Sequence, residues 1–552
     1  MIKLAYFYLT IIAMALMVSC NKQTPSKKVP APPPTEDKED PPPPPPPPVV
    51  PTSLIYQKTD GSLGYNYYAN QGETNKVNLI PDFSMAGYKG GGVAIPHSVA
   101  IKKTLSPLSG DNRSQIQQAI DEVSALTPDA NGIRGVIALL GGVYEVSDRL
   151  NINHSGVILR GIGQGADGTV LKATKKEQHT LINIAGTATS QSGSTINITT
   201  PYVGTGSKGF RVANVSGIAQ GDRIVVERTP NQAWIDDLDM AQYGWTTDYY
   251  VVQYERKVVA VTEDSITLDA PVVDPIQVKY GGGKVYTFNP TGRITNCGIE
   301  NLRLTSVYDN DDDENHGWIG IELREAENCW VRGVTCQYFG YSAVTLNTGA
   351  KNNTVEECAM LDPKSVTTGA RKYSFNINGT ACLNLIQRCF TRGGRHDYVT
   401  GAKVPGPNVF LDCVATKTYN DIGPHHRWAT GLLFDNIVGD EIRVRNRGAS
   451  GTGHGWAGAQ TLFYNCTSLS KTIVVESPKG ALNWGIGCKG LGRSGAGFWE
   501  SWNVPVQPRS LYLAQLKDRL GSQAVSNIAT QAQLSGAISG MLTAWAGEGS
   551  FN

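Results

Sequence analysis

The sequence predicts an all-β protein: a right-handed parallel β-helix with an N-terminal cap helix, a β-rich insertion and a helical C-terminal segment. The first sign is a repeated phrase, apolar-x-x-apolar. It occurs at Ile299–Leu302, Val331–Val334, Val355–Cys358, Ile386–Cys389, Phe410–Cys413, Phe434–Ile437 and Phe463–Cys466, and again around Trp484, Ile486 and Cys488. Successive copies lie 22 to 32 residues apart. A floor in the low twenties suits a coil of three short strands with corner loops of variable length, whereas helical solenoids need longer and more regular units. The second sign is composition: 61 Gly in 552 residues and 18% charged residues, below the globular norm of about 25%. Few Leu-rich runs are present, so a coiled coil, a helical bundle and a polytopic membrane protein are excluded. The net charge of +1 argues against a general nucleic-acid binder.

In chain order, residues 1–20 come first. Lys3, the apolar run Leu4 to Val18 and Ser19-Cys20 describe a secretory signal rather than a spanning helix. A Cys at that position resembles a bacterial lipoprotein signal, with Cys20 acylated as the mature N-terminus; an ordinary signal peptide with a chance Cys is the alternative. Residues 21–53 carry Pro32-Pro33-Pro34 and an unbroken Pro41 to Pro48. That is a stiff polyproline spacer of roughly 3 Å per residue, unable to bury a core. Lipid plus spacer predicts a cell-envelope lipoprotein on the outer membrane, facing the cell surface, with no other membrane contact.

Residues 54–186 are expected to hold the cap and the first coils. Ile116, Ile120, Val123 and Leu126 form an amphipathic stripe with Asp111 as its N-cap, and Gly-punctuated β-branched runs follow it. Residues 187–290 interrupt the ladder with alternating strands such as Gly221-Asp-Arg-Ile-Val-Val-Glu-Arg, the pattern of antiparallel hairpins in a side-packed insertion. Residues 291–507 resume the β-helix and carry the candidate groove. In residues 508–552, Leu511, Leu513, Leu516 and Leu520 return to helical spacing, stopped by Gly521.

The register explains the cysteines. Cys358, Cys389, Cys413, Cys466 and Cys488 fall in one inward column, where a thiol acts as a small hydrophobe. Adjacent coils are only about 4.8 Å apart, so disulfides are geometrically allowed. Val334 and Ile437 share the column, however, which favours stacked free thiols. With no C-x-x-C pair, a zinc site is not expected.

Histidine marks the chemistry. Of eight in all, five lie between 316 and 454, and four begin one phrase: His316-Gly-Trp, His396-Asp-Tyr, His426-Arg-Trp and His454-Gly-Trp. Counting back from the ladder stacks Arg371, His396, His426, His454 and Glu476 on successive coils. If the phrase is a strand, i and i+2 share a face, so Tyr373, Tyr398, Trp428 and Trp456 flank that column, while His425 points into the wall. Aromatic faces beside hydrogen-bonding groups suit a sugar-binding groove; the competing reading packs the aromatics inward and bonds the histidines to loop backbone. Between Gly369 and Gln460 there are 11 Lys+Arg against 6 Asp+Glu. Arg395, Lys403, Arg427, Arg443, Arg445 and Arg447 can therefore neutralise carboxylates or sulfates, or simply form a solvated basic face. The run Asp309 to Glu314 could bind Ca²⁺ or be a solvated loop; otherwise no cofactor is expected.

Coil length, cap helix and lipoprotein start resemble the pectate-lyase-like β-helical polysaccharide lyases of Bacteroidetes-type glycan-degrading bacteria, over about residues 95–500. Many of those use Lys or Arg as base and Ca²⁺ to neutralise the uronate. This sequence departs from them, offering His, Tyr and Arg, a set similar to metal-independent glycosaminoglycan lyases such as polysaccharide lyase family twenty-nine. The resemblance implies a monomeric lyase acting on chondroitin sulfate, dermatan sulfate or hyaluronan.

Elimination at a uronic acid needs a neutralised carboxylate, a base for the C5 proton and an acid for the leaving O4. His titrates near neutrality and Arg stays charged. The expected roles are Arg427 with Arg395 as neutraliser, His426 or His396 as base, and Tyr398 or His454 as acid. Arg371, Arg395, Lys403, Trp428, Trp456, His316 and Glu476 are expected to bind substrate. Two other classes stay open. A β-helical glycoside hydrolase would use two carboxylates among Asp397, Asp421 and Glu476, since Asp412 and Asp435 look structural. A non-catalytic surface glycan-binding protein would use the aromatics alone.

Overall fold

The computed structural model describes residues 54–551; the signal, Cys20 and the Pro-rich linker lie outside the described residues. The repeated phrase becomes a ladder of parallel strands. Ile299 pairs with Val331 and Val331 with Val355. Val355 then pairs with Ile386, Ile386 with Phe410, Phe410 with Phe434 and Phe434 with Phe463. A second parallel sheet follows the phrase on each coil, as in Ala359–Leu361, Phe390–Arg392 and Val414–Thr416. A third runs through Gly317–Arg324, Ser342–Leu346, Phe375–Ile377 and Tyr398–Thr400. The fold is a right-handed parallel β-helix, the hand that parallel crossovers almost always take.

The corner between the first two sheets is the third residue of the phrase. Asn301, Glu357, Arg388, Asp412, Asn436 and Asn465 all sit there with φ between 50° and 58°. One left-handed residue turns the chain without a loop, which is why the phrase keeps its four-residue length. At another corner Asn353, Asn384 and Asn408 form a side-chain ladder, with amide-to-carbonyl bonds of 3.0 and 3.2 Å satisfying groups that the bend leaves unpaired. Cys358, Cys389, Cys413, Cys466 and Cys488 are buried free thiols in the core column.

The helix Arg113–Ser124 packs Ile116, Ile120 and Val123 onto the first coils. Its N-cap is Asn112, one residue later than expected, because the Asp111 carboxylate is turned to Ser147 while also accepting from the Arg113 N–H. Within 187–290, Arg223–Arg228 lies between Val252–Val261 and Gly283–Asn289, all antiparallel. This sheet has its own core around Trp234, Trp245, Tyr250 and Tyr254, and Trp428 and Ala459 of the β-helix complete it. Both C-terminal helices lie along the outside of the solenoid: Leu511–Leu520 beside the chain's first described segment, and Ile538–Trp545 against Ala359, Leu361, Phe390 and Val414. There Asp435 accepts from Ser510 and the Tyr512 N–H, and Asp412 pairs with Arg509, so both aspartates are structural.

Candidate active-site groove

The third sheet ends in the region that carries the histidines. Strand Phe375–Ile377 pairs with Tyr398–Thr400, and Val399 with Gly423. Beyond Gly423 the chain turns rather than alternates, with φ of 43° at Arg427 and 59° at Trp428. The strand itself ends at Pro424, before the His425-His426 doublet, and the two rings stay side by side instead of taking opposite faces. His396 and His425 have ring centroids 4.1 Å apart, His425 and His426 5.1 Å, and His426 and His454 4.8 Å. His396, His426 and His454 come together, but not as one register column: Val399 pairs with Gly423, so His396 meets His425, which stands between it and His426. His425 does not point into the wall; the doublet itself was the signal for its place.

The inner members are locked. His396 is 1% exposed, and its Nδ1 lies 2.7 Å from the Asp421 carbonyl oxygen and 3.2 Å from the Asp421 carboxylate. Burial would raise Asp421, but His396 and then Arg447 hold its carboxyl well below the usual range. Arg447 donates to His425 Nδ1 at 2.9 Å. Burial, then His396 and Arg447, push the His425 ring far below its ordinary range. His426 and His454 are half-buried at the mouth. Burial, then His454, Arg447 and Arg427, bring His426 to about 3; burial, then Arg447 and Arg427, bring His454 to about 4. Both are neutral near pH 7 and able to accept a proton. The Nδ1 atoms of both are buried without a partner.

Cations and tyrosines surround this pair. Arg427 reaches the Thr452 carbonyl and hydroxyl in the loop before His454. Tyr249, supplied by the insertion and 41% exposed, lies 4.2 Å from Lys403 Nζ and 5.4 Å from the Arg427 guanidinium. Behind it Tyr250 stacks on Trp245 at 3.8 Å. Arg395 donates to the Tyr373 hydroxyl at 3.5 Å, and the Tyr373 ring touches both His396 and His425. An insertion wall of tyrosines has no marker in the β-helix repeat, so the sequence did not place Tyr249 here.

Several expected site residues go elsewhere. Tyr398 is fully buried, stacked on Phe375, and its hydroxyl meets the carbonyls of Cys389 and Val414 at 2.9 Å each; it cannot act as acid in the groove. Trp428 is buried against Trp234 with its indole N–H on Asp274, and the half-buried Trp456 joins the same cluster. Neither is a sugar platform, because their phrase is a corner and the period-2 rule does not reach it. His316 is fully buried, contacting Ser306, Asp313 and Lys364, and braces its own loop. Arg371 pairs with Glu314, leaving Tyr373 in register with His396. Glu476 accepts from the Asn446 N–H at 2.8 Å and supports the arginine-bearing segment. Asp397 is buried beside Ser374, so no two of Asp397, Asp421 and Glu476 form a free catalytic pair.

Two trios, His425/His426/His454 and His396/Asp421/His425, bring one ligand atom each within 4.8 Å and could hold a transition ion. Arg447 already stands on one His425 nitrogen, and its charge with that of Arg427 opposes a second cation. The acidic run does not fit Ca²⁺. Asp309 pairs with Lys176, Asp311 with Lys364 and Glu314 with Arg371, consuming the oxygens a hard cation needs.

No protein-family model and no curated protein matches the chain. Solved structures do. A polygalacturonase from Erwinia carotovora ssp. carotovora is 12% identical with a TM-score of 0.37, over 75% of this chain and 98% of that one. An alginate lyase from a Paenibacillus species is 11% identical with a TM-score of 0.34, over 73% and 99%. A protein of Geobacillus virus E2 is 13% identical with a TM-score of 0.34, over 73% of this chain, which spans 59% of that protein's length.

Proposed function

We propose that the protein is a lipid-anchored, cell-surface polysaccharide lyase that cleaves a uronate-containing polymer by β-elimination, a glycosaminoglycan of the chondroitin, dermatan or hyaluronan type. The observation that carries this reading is the neutral His426–His454 pair, 4.8 Å between centroids and flanked by Arg427 and Arg447, with Arg395 beside His425 and Lys403 beside Tyr249. A guanidinium neutralises the uronate carboxylate and makes the C5 proton acidic enough to remove. His426 takes that proton. Burial first, and then the charge of Arg447 and Arg427, keeps both rings neutral; a bound carboxylate offsets the arginine part, so the pair can carry the proton in the complex and deliver it to the leaving O4. One proton leaves C5, one reaches O4, and the C4–O bond breaks as the C4–C5 double bond forms.

The test is ultraviolet absorbance of the unsaturated uronate on a panel of glycosaminoglycans, pectin, alginate and ulvan. Absorbance that appears with new chain ends supports elimination. New reducing ends without it would indicate hydrolysis, and binding without either would indicate a glycan-binding protein.

A further inference from the structure

Beside the histidines lies a row of cations that begins at Arg447 and runs away from the reacting pair to Arg445 and Arg443, neither of which the elimination uses. Val444 is fully buried in the core, so Arg443 and Arg445 on either side project outward, and the charge of Arg445 is felt by both Arg443 and Arg447, all three being half-buried. The bridge between Ile422 and Ile442 aligns this segment with the stretch leading to His425, and Val444 pairs with Val475 on the next coil. The three arginines thus form a row along one edge of the groove.

Their charges are only partly answered. Arg443 pairs with Glu441, which Lys471 shares at 3.1 Å. Arg447 donates to His425 and is 4.0 Å from the Asp421 carboxylate, which His396 already engages. Among the described residues Arg445 has no ion-pair partner, and Glu476, in register with it, accepts from the Asn446 N–H. The Nε atoms of all three arginines are buried without a hydrogen-bond partner. Half-buried like charges in a row are costly unless an anion joins them.

We propose that Arg443, Arg445 and Arg447 form a sulfate subsite, which holds a sulfate ester on the sugar next to the one at His426 and His454. A carboxylate has two oxygens and is satisfied by one bidentate arginine. A sulfate ester has three terminal oxygens and a permanent charge, matching three guanidinia whose neighbouring imidazoles are neutral and donate little. The inference shares the polymer with the lyase reading but not its chemistry, so it can be measured without turnover.

The experiment compares binding of a sulfated chondroitin with the same chains after chemical desulfation, which keep every carboxylate. Calorimetry is run at fixed ionic strength on wild type, Arg445→Ala, Arg445→Lys and Lys417→Ala. Lys417 is exposed and outside the row, so its loss removes equal charge without the site. Wild type should prefer the sulfated chain by roughly tenfold or more, the scale of one good charged contact. Arg445→Ala should lose most of that preference, Arg445→Lys should recover it only in part, and Lys417→Ala should keep it. Equal affinities in wild type, a preference that survives Arg445→Ala, or an equal loss in Lys417→Ala would each overturn the subsite. Elimination without sulfate preference sinks this inference alone; preference without elimination on any polymer of the panel sinks the lyase reading alone; binding to neither chain overturns the subsite, and together with no elimination on the panel sinks both.

Discussion

At His426 the chemistry depends on a ring kept neutral by its surroundings, and the sign of that effect makes two measurements diagnostic. The folded pKa of about 3 lies below the ordinary value of about 6.5, so between the two the unfolded chain binds more protons. The contribution to stability is complete above about pH 6.5 and is lost as pH falls toward the folded value. The denaturation midpoint should therefore drop between pH 7 and pH 5, and His426→Gln should flatten that drop. The acid limb of kcat/KM should lie below 6.5 for the same reason. His426→Ala should cut turnover by about 10²–10⁴ while binding persists, because proton transfer is made only in the transition state. Near-normal rates in that variant would remove His426 as base. Tyr398 separates the two readings of its phrase. With its hydroxyl buried on two carbonyls, Tyr398→Phe should cost about 1–3 kcal/mol of stability and leave the rate of elimination alone. Loss of rate at unchanged stability would restore it as an acid.

Strands and sheets were far more legible than the site. The apolar-x-x-apolar phrase reads the ladder register correctly from Ile299 to Phe463, because a left-handed residue fixes the corner and side-chain burial fixes the rest. The cysteine column follows from that register. Cys389, Cys413 and Cys466 should stay unreactive to thiol reagents until the fold is unfolded; rapid labelling of the native protein, or a disulfide between them, would contradict the packing. The His-x-aromatic phrase failed where the chain leaves regular structure. Alternation holds within a strand, and the corner at Arg427-Trp428 sends one side chain to the groove and the next into the insertion. Trp428→Ala should consequently cost about 3–5 kcal/mol by opening a cavity among Trp234, Trp245 and Tyr250, rather than simply weakening sugar binding. Calorimetric unfolding checks this directly. Arg447 was among the flanking cations the sequence offered, but Tyr249 reaches the site from the insertion, whose approach depends on tertiary packing that local sequence does not encode.

For the molecule as a whole, the lipid-anchor proposal predicts that Cys20→Ala releases the protein from membranes. A variant that still sediments with them would require another attachment. The two ends of the chain matter in a different way. The C-terminal segment touches Asp435 through Ser510, Asp412 through Arg509 and Gln533, and Arg388 through Gln533. It continues past Phe390 by way of Trp545 and reaches Thr335 and Arg303 through Gly547 and Glu548. The first described segment is tied to it, with Tyr512 donating to the Ala86 carbonyl and Arg519 to Ser84. A stack of coils alone couples each rung only to its neighbours and can fray from either end. A strap crossing rung after rung makes the loss of any one coil a loss for those several turns away. Melting should then be a single sharp event, with amide protons near Arg303 and near Asp435 exchanging together instead of in sequence along the axis.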